Sequence, residues 1–249
     1  MEFVDIKGEV IPSGNEWVYS WYGIQATSPK MIQRIMDRAN NKPITVRINS
    51  GGGDVFAGCE IYNMLKSYNG DVTIEIHGLC ASIASVIAMA GKCKMSPLAE
   101  IMVHNVSTRA EGDYRDMEHT AEVLKKTNKT IANAYMLKTG MKEEEARKLM
   151  DKETWFTAEE ALELGLVDEI MYSNENVDTD MRDLLKNNAV NMCNSVGRID
   201  NKLLEKFKNF KPNFNQPIQN NKVDFFMEKK AKAKAQLKLL KLKGDIKNG

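Results

Sequence analysis

Apolar positions along the first two thirds of the chain follow two alternating spacings. A spacing of two predicts strands, and a spacing of three to four predicts helices. The predicted strands span residues 4–10, 17–22, 44–48, 72–76, 92–95 and 100–104. The predicted helices are one opened by Ser28-Pro29, one with apolar residues from Val55 to Leu65, and one from about Tyr114 to Lys138 that Gly140 ends. Because strands that alternate with helices form parallel βαβ units, we predict an α/β fold with its active site at the carboxyl ends of the strands.

A short helix and a closing strand are predicted at the end of this pattern. Thr157 and Glu160 have the spacing of a capping box, in which each side chain accepts a backbone hydrogen bond at the other position. Gly165 ends this helix, and residues 166–170 are predicted to form the closing strand.

The composition changes after Tyr172. Residues 173–249 contain 16 Lys and Arg against 9 Asp and Glu, a net charge of +7, whereas the first 172 residues have a net charge of −6. Asparagine and lysine are frequent and apolar residues sparse, which is typical of a flexible segment. Residues 225–243 predict a basic helix that is either solvated or bound to an acidic partner. We therefore expect one domain over residues 1–172 and a flexible, basic C-terminal extension over residues 173–249.

The whole-chain composition is that of an ordinary soluble protein, with a net charge of +1 and 43% hydrophobic residues. Four cysteines lack C-x-x-C spacing, and three of them, Cys59, Cys80 and Cys93, lie in apolar surroundings and are predicted to be buried free thiols of a protein from a reducing compartment. No apolar run is long enough for a membrane span and no signal peptide is evident, so we expect a cytoplasmic protein. The scattered histidines predict no metal site, the glycine spacings match no nucleotide motif, and the lysines of the extension lack the interleaved aromatics of a nucleic-acid platform.

The turn that follows the strand at 72–76 offers a candidate nucleophile. Ser82 lies where this strand ends and a helix of small residues begins, within Gly78-Leu79-Cys80-Ala81-Ser82-Ile83-Ala84-Ser85. A serine at such a junction exposes its hydroxyl beside backbone N–H groups, as serine hydrolases require. A stripe of small residues can equally be a packing surface. Ser85, one helical turn later, is a rival, although its N–H would already belong to the helix.

Among the three histidines, His104 is best placed to act as a base. It ends a predicted apolar strand at the edge where parallel sheets hold their sites, and a buried structural role is the alternative. His77 can be structural, and His119 lies in a polar helix where we expect it to face solvent. The glycines of Gly51-Gly52-Gly53 can present backbone N–H groups to an oxyanion, or simply form a tight turn.

Four motifs in order resemble the Clp protease proteolytic subunit family. They are Ile48–Gly53, Gly78–Ser82, Met102–His104 and Trp155–Asp168, and the similarity covers roughly Lys7 to Tyr172. The resemblance implies a ClpP/crotonase-like fold of repeated ββα units, and a serine-type endopeptidase that needs no cofactor and no metal.

The resemblance also implies the roles of individual residues. Ser82 falls on the nucleophile and His104 on the general base, while Gly53 and Ile83 fall on the two main-chain oxyanion donors. The edge that pairs with an extended peptide substrate comprises Gly52, Gly53, Asp54, Val55 and Phe56.

The acid of the triad is where this chain departs from the family pattern. Glu153 stands where the family has aspartate, and Asp151, two residues earlier, is the alternative. A glutamate can still orient the imidazole, although its extra methylene requires a different backbone distance. Gly51 also replaces the usual proline of the glycine loop, which leaves that turn looser.

The extension over residues 173–249 favours one branch of the family, the head maturation proteases of tailed phages. This resemblance implies cleavage of capsid or scaffold proteins, in the host cytoplasm or the assembling prohead, without an ATPase. It also implies a homo-oligomer of stacked rings, with the helix at 114–138 as the contact between rings. The alternatives are a housekeeping Clp proteolytic subunit that works with an ATPase unfoldase, a crotonase-type acyl-CoA enzyme, and a catalytically inactive assembly protein.

Overall fold

The computed structural model describes residues 2–172, and the predicted C-terminal extension with its basic helix lies outside them. Among the described residues, 2–16 and 25–172 belong to one compact unit and 17–24 to a second. No helix in this part of the chain is both long and apolar enough to traverse a bilayer.

The described part of the first unit contains nine strands and six of the seven described α-helices. The strands are β1 (Glu2–Lys7), β2 (Glu9–Val10), β3 (Ala26–Thr27), β4 (Ile44–Ser50), β5 (Val72–Ala81), β6 (Lys92–Met95), β7 (Glu100–Val103), β8 (Thr154–Phe156) and β9 (Glu169–Ile170). The helices of the described chain are α1 (Glu16–Tyr22), α2 (Pro29–Ala39), α3 (Val55–Lys66), α4 (Ile83–Ala88), α5 (Tyr114–Thr139), α6 (Glu143–Asp151) and α7 (Ala158–Glu163). Of these, α1 lies almost wholly in residues 17–24, the described part of the second unit.

Five parallel strands form the main sheet, in the order β1-β4-β5-β6-β9. The long strand β5 changes partner along its length: its first half pairs with β6, and its last three residues pair with β7. Strand β8 then pairs antiparallel with β7. The α/β fold class is therefore confirmed, and the partner change of β5 brings its carboxyl end beside that of β7.

An irregularity in β5 produces this change of partner. The register between β4 and β5 shifts between Ile48 and Ser50, so that Ser50 lies opposite Cys80. The side chain of Asn49 accepts a hydrogen bond from the Leu79 backbone N–H at 3.0 Å, which replaces a bond that the ladder loses there. Gly78 fits this bend because a Cβ at its position would lie 2.8 Å from Asn49 Oδ1.

The two faces of the main sheet differ in chemistry. The face toward the helices contributes fully buried aliphatic residues such as Ile6, Ile48 and Ile76. Across the opposite face runs a row of charged residues, one from each strand, in direct register and with alternating sign. This charge row consists of Asp5, Arg47, Glu75, Lys94 and Glu169.

Local capping signals positioned most helices correctly. Ser28 accepts a hydrogen bond from the Met31 backbone N–H at the start of α2, and the reciprocal bonds of the Thr157 and Glu160 capping box are both present. Gly140 has a φ of 77° and ends α5 as predicted.

The strand predicted at residues 17–22 is wrong, because this segment is helix α1. Five of the seven residues of α1 are aromatic or β-branched, so strand propensity was high and no apolar spacing could distinguish the two structures. The predicted closing strand at 166–170 is shorter than expected and is paired as β9 only at Glu169–Ile170.

Candidate active site

Ser82 lies between the last residue of β5 and the first residue of α4, in a backbone conformation that is rare for a residue with a side chain. Its φ is 56° and its ψ is −129°. Such a conformation costs on the order of 1–3 kcal/mol and persists only where the surroundings enforce it. The Ser82 backbone N–H donates to the Met102 carbonyl at 2.9 Å, which continues the pairing of β5 with β7 for one more residue.

His104 follows β7 directly and faces this serine. Its Nε2 atom is 2.7 Å from Ser82 Oγ, which is a hydrogen-bond distance. The pairing of Ala81 with Met102 explains this contact. Ser82 follows Ala81 by one residue and His104 follows Met102 by two, so both side chains lie just beyond the paired strand ends. The serine and the histidine that were predicted separately from the sequence are therefore in contact.

The loop that follows His104 is held by side chains from two helices. The Val106 backbone N–H donates to Asn128 Oδ1 of α5 at 2.7 Å. The side-chain amide of Asn105 donates to Asp151 Oδ1 of α6 at 2.8 Å. These contacts hold the two residues that follow His104, and no signal for either contact was found in the sequence.

The other candidate nucleophile, Ser85, and the other two histidines, His77 and His119, do not take part in the contact between Ser82 and His104. Ser85 is fully buried, and its hydroxyl is hydrogen-bonded to the Ser82 carbonyl and to the Tyr135 hydroxyl. His77 is exposed and contacts Glu75 at 3.0 Å, and His119 is exposed on α5.

The glycine loop packs directly on the Ser82 turn. Gly52 has a φ of 89°, and a Cβ at its position would lie 2.6 Å from the Cβ of Ser82. Gly53 forms a parallel bridge with Val10, in which Val10 donates to the Gly52 carbonyl and accepts from the Asp54 N–H, each at 2.8 Å. In such a bridge the N–H and C=O of Gly53 itself point away from Val10. Both remain available on the side of the loop that lines the pocket.

A small pocket of about 80 Å³ opens beside Ser82 and His104. Its walls contain both predicted oxyanion residues, together with aliphatic side chains and the ring of a buried tyrosine. The lining residues include Gly53, Val55, Ile83, Val86, Ile131 and Tyr135. Sequence reasoning missed Tyr135, which had no signal beyond the helical spacing that buries one side of α5.

The predicted substrate edge is only partly extended in the structure. Gly52, Gly53 and Asp54 form the loop, whereas Val55 and Phe56 are the first two residues of α3. The Asp54 carboxylate caps this helix by accepting from the Ala57 N–H at 2.8 Å. Phe56 is 74% exposed, so its ring is open to a binding partner.

Glu153 and Asp151 lie at different places relative to His104. The antiparallel ladder ends with the pair Val103 and Thr154, so His104 and Glu153 are the residues that adjoin this last pair on the two chains. Glu153 is exposed, has a φ of 49°, and its carboxylate forms no hydrogen bond or ion pair with another described residue. The Asp151 carboxylate is bound by Asn105 instead. Within residues 2–172 there is no cluster of three or more His, Cys, Asp or Glu that could hold a metal ion.

Comparison with known proteins identifies the family. The family model described as Clp protease matches residues 26–174. The chain belongs to the Clp protease family. ATP-dependent Clp protease proteolytic subunit 1 of Chlamydia abortus is 36% identical over 137 residues, which are 53% of this chain and 71% of the relative. The same subunit of Chlamydia muridarum is 33% identical over 158 residues, or 61% of this chain and 76% of the relative.

A solved structure supports the same conclusion for the fold. A ClpP1 mutant from Listeria monocytogenes superimposes with a TM-score of 0.56 at 25% identity, covering 73% of this chain and 94% of that one. Clp proteases are serine peptidases, so the family and the contact between Ser82 and His104 point to the same class of chemistry.

Proposed function

We propose that this Clp protease family member is a serine endopeptidase in which Ser82 is the nucleophile and His104 the general base. The single observation that carries the proposal is the 2.7 Å contact between Ser82 Oγ and His104 Nε2, made at a turn with positive φ beside a pocket. A serine hydroxyl is a weak nucleophile unless a neighbouring base accepts its proton as it attacks.

The proposed reaction begins when Ser82 Oγ attacks the carbonyl carbon of the scissile peptide bond. His104 Nε2 accepts the hydroxyl proton, and the carbonyl oxygen becomes an oxyanion that accepts from the N–H groups of Gly53 and Ile83. The C–N bond then breaks, and His104 gives its proton to the departing amine. Water, deprotonated by the same histidine, hydrolyses the acyl-enzyme and restores the Ser82 hydroxyl.

Glu153 is the proposed acid that orients His104. Two observations support it over Asp151. Glu153 adjoins the last pair of the β7 and β8 ladder on the side of His104, whereas Asp151 already binds Asn105. A carboxylate at the position of Glu153 would accept from Nδ1 of the imidazole and stabilise its charged form during catalysis.

The substrate proposed is an extended peptide with an apolar side chain next to the scissile bond. The walls of Val55, Val86 and Ile131 favour such a side chain, and a pocket of about 80 Å³ limits its size. The outward N–H and C=O of Gly53 are the backbone groups that would pair with the peptide. The wider edge over residues 52–56 stays part of the proposal.

The biological role proposed is that of a phage head maturation protease that cleaves capsid or scaffold proteins. Support comes from the long basic segment over residues 173–249, of which only the first two residues fall within the match to the family model. Its net charge of +7 suits an acidic scaffold or portal surface. The role includes stacked homo-oligomeric rings and a location in the host cytoplasm or assembling prohead.

Coexpression with a capsid or scaffold protein of a tailed phage tests this function. Wild type should convert the capsid or scaffold protein to shorter products that mass spectrometry identifies, and Ser82→Ala should leave it intact. A fluorophosphonate probe should label wild type and not Ser82→Ala. Unchanged cleavage by Ser82→Ala would exclude the mechanism, and cleavage only of other proteins would exclude the head maturation role.

The housekeeping role is the second candidate, because the relatives reported above are named ATP-dependent proteolytic subunits. That role requires an ATPase unfoldase for the degradation of folded proteins. Degradation of a model protein only when unfoldase and ATP are added would favour it. Capsid processing without ATP, lost when residues 173–249 are deleted, would favour the phage role.

A further inference from the structure

A buried pair of hydroxyl groups connects helix α5 to the backbone of Ser82. The Ser85 Oγ atom lies 2.6 Å from the Ser82 carbonyl oxygen and 2.8 Å from the Tyr135 hydroxyl. Ser85 is fully buried and Tyr135 is 3% exposed, so water does not compete for these groups. The catalytic steps described above use neither hydroxyl.

The direction of the two hydrogen bonds follows from the number of protons. The Ser82 carbonyl oxygen can only accept, so the single hydroxyl proton of Ser85 is donated to it. The Ser85 oxygen must then accept from the Tyr135 hydroxyl. Burial raises the pKa of Tyr135 far above its ordinary value, which keeps this hydroxyl protonated and able to donate. The chain of donors therefore runs from Tyr135 through Ser85 to the Ser82 carbonyl.

The Ser82 carbonyl and the Ile83 N–H belong to the same peptide unit. A trans peptide is planar, so its C=O and N–H point in opposite directions. The hydrogen bond from Ser85 orients the Ser82 carbonyl toward Ser85. The Ile83 N–H therefore points away from Ser85, on the opposite side of this peptide. A hydrogen bond accepted by the carbonyl also polarises the amide and makes its N–H a stronger donor.

We propose that Tyr135 and Ser85 are positioning residues that orient and polarise the Ser82–Ile83 peptide as an oxyanion donor. This inference rests on the proposed function, in which the Ile83 N–H binds the oxyanion. The Ser82 backbone, which has a positive φ, donates its N–H to the Met102 carbonyl, and its own carbonyl accepts from both the backbone N–H and the hydroxyl of Ser85. Neighbouring Ile131, Ala132 and Ala134 are buried with Tyr135, so α5 provides a rigid anchor for its side chain.

Tyr135→Phe, Ser85→Ala and the double variant test the proposal by steady-state kinetics on a fluorogenic peptide. An oxyanion donor acts on the transition state, so kcat should fall by roughly 10-fold while KM changes less than about 2-fold. The two residues act in series, so the double variant should lose no more than either single variant. The double variant lacks both hydroxyls, so no buried hydroxyl remains without a hydrogen-bond partner, and this protects the folding of the variant.

Tyr68→Phe is the matched control, because the Tyr68 hydroxyl also donates to a carbonyl, that of Lys42, but far from the pocket. Its kcat should equal that of wild type. Wild-type kcat in all three site variants, or a loss confined to KM, would overturn the positioning role. Additive losses in the double variant would overturn the series arrangement.

A crystal structure of the double variant separates this inference from the proposed function. If the Ser82–Ile83 peptide rotates from its wild-type orientation, the pair positions it, and an unchanged peptide overturns the proposal whatever the kinetics. A wild-type protein without Ser82-dependent turnover would instead overturn the proposed function, and the crystal structure would still decide the positioning role.

Discussion

At the scale of single residues, the approach of β8 to β7 determines which backbone position follows the ladder next to His104. Glu153 has a positive φ, which helps to turn the chain from the end of α6 into β8 within two residues. That turn lets Thr154 pair with Val103 and so brings position 153 beside position 104. A residue without this geometry would extend α6 or delay β8, and the carboxylate would then lie elsewhere.

We expect Glu153→Ala to lower kcat by roughly 100-fold or more, because an imidazole without its orienting acid adopts unproductive tautomers and rotamers. Asp151→Ala should lower it by less than about 10-fold, since it loses only the bond to Asn105. Steady-state kinetics on one peptide substrate compares the two variants. A larger loss in Asp151→Ala than in Glu153→Ala would move the acid to Asp151.

At the scale of elements, the carboxyl end of α5 is fastened to the sheet by one ion pair. Lys138 Nζ lies 2.5 Å from Asp168 Oδ2 and 3.1 Å from the Gly91 carbonyl, and Asp168 also accepts from the Cys93 N–H at 2.6 Å. The Lys138 side chain is only 11% exposed. Since Tyr135 lies one turn earlier on α5, this contact also holds the anchor of the proposed hydroxyl pair.

The ion pair of Lys138 and Asp168 should make the free energy of unfolding depend on pH in the acid range. Burial raises the pKa of Asp168, but hydrogen bonds from Lys138 and Cys93 and the charge of Lys138 outweigh it, so the pKa lies below its ordinary value. A lowered carboxyl pKa contributes stability above the unfolded-state value, about 3.9, and this contribution is lost as the pH falls through the folded-state pKa.

Asp168→Asn should therefore lower Tm by a few degrees at pH 7, from a loss of about 1 kcal/mol for a partly exposed pair. Calorimetry from pH 7 down to pH 3 should show the difference from wild type shrinking below about pH 4. A Tm difference that stays constant over this range would show that the charge of Asp168 is not what stabilises the contact.

The elements that the sequence predicted well are those with local signals at their ends. Ser28, Gly140 and Thr157 each form the cap that was expected, because capping depends on residues within one turn. Helix α6 begins after Lys142, which forms no side-chain cap, and no helix was predicted there. Contacts between distant elements, such as Asn128 with Val106, have no local signal and could not be predicted.

At the scale of the whole molecule, the first half of α5 is a largely exposed surface. Its buried residues begin only at Ile131, whereas Tyr114, Met117 and Val123 are 71%, 38% and 45% exposed. Exposed apolar side chains along one helix are typical of an interface between copies. The proposal of stacked rings assigns the contact between rings to this half of α5.

Met117→Glu combined with Val123→Glu should separate the rings, because charge at both positions makes burial of this face costly. Sedimentation velocity of the full-length protein should show about half the wild-type mass. Lys125→Glu, on the same helix, is the control and should keep the wild-type mass. A double variant with unchanged mass would place the contact between rings elsewhere.

The charge row constrains which strand pairings the chain can tolerate while it folds. Side chains alternate between the two faces of a strand, so a slip of one residue would carry Arg47 to the helix side, where Val46 and Ile48 are fully buried. The same slip in β5 or β6 would bury Glu75 or Lys94. Each of the five strands therefore disfavours the shifted register through its own charged residue. The bend that places Ser82 beside His104 forms only on a correctly aligned sheet.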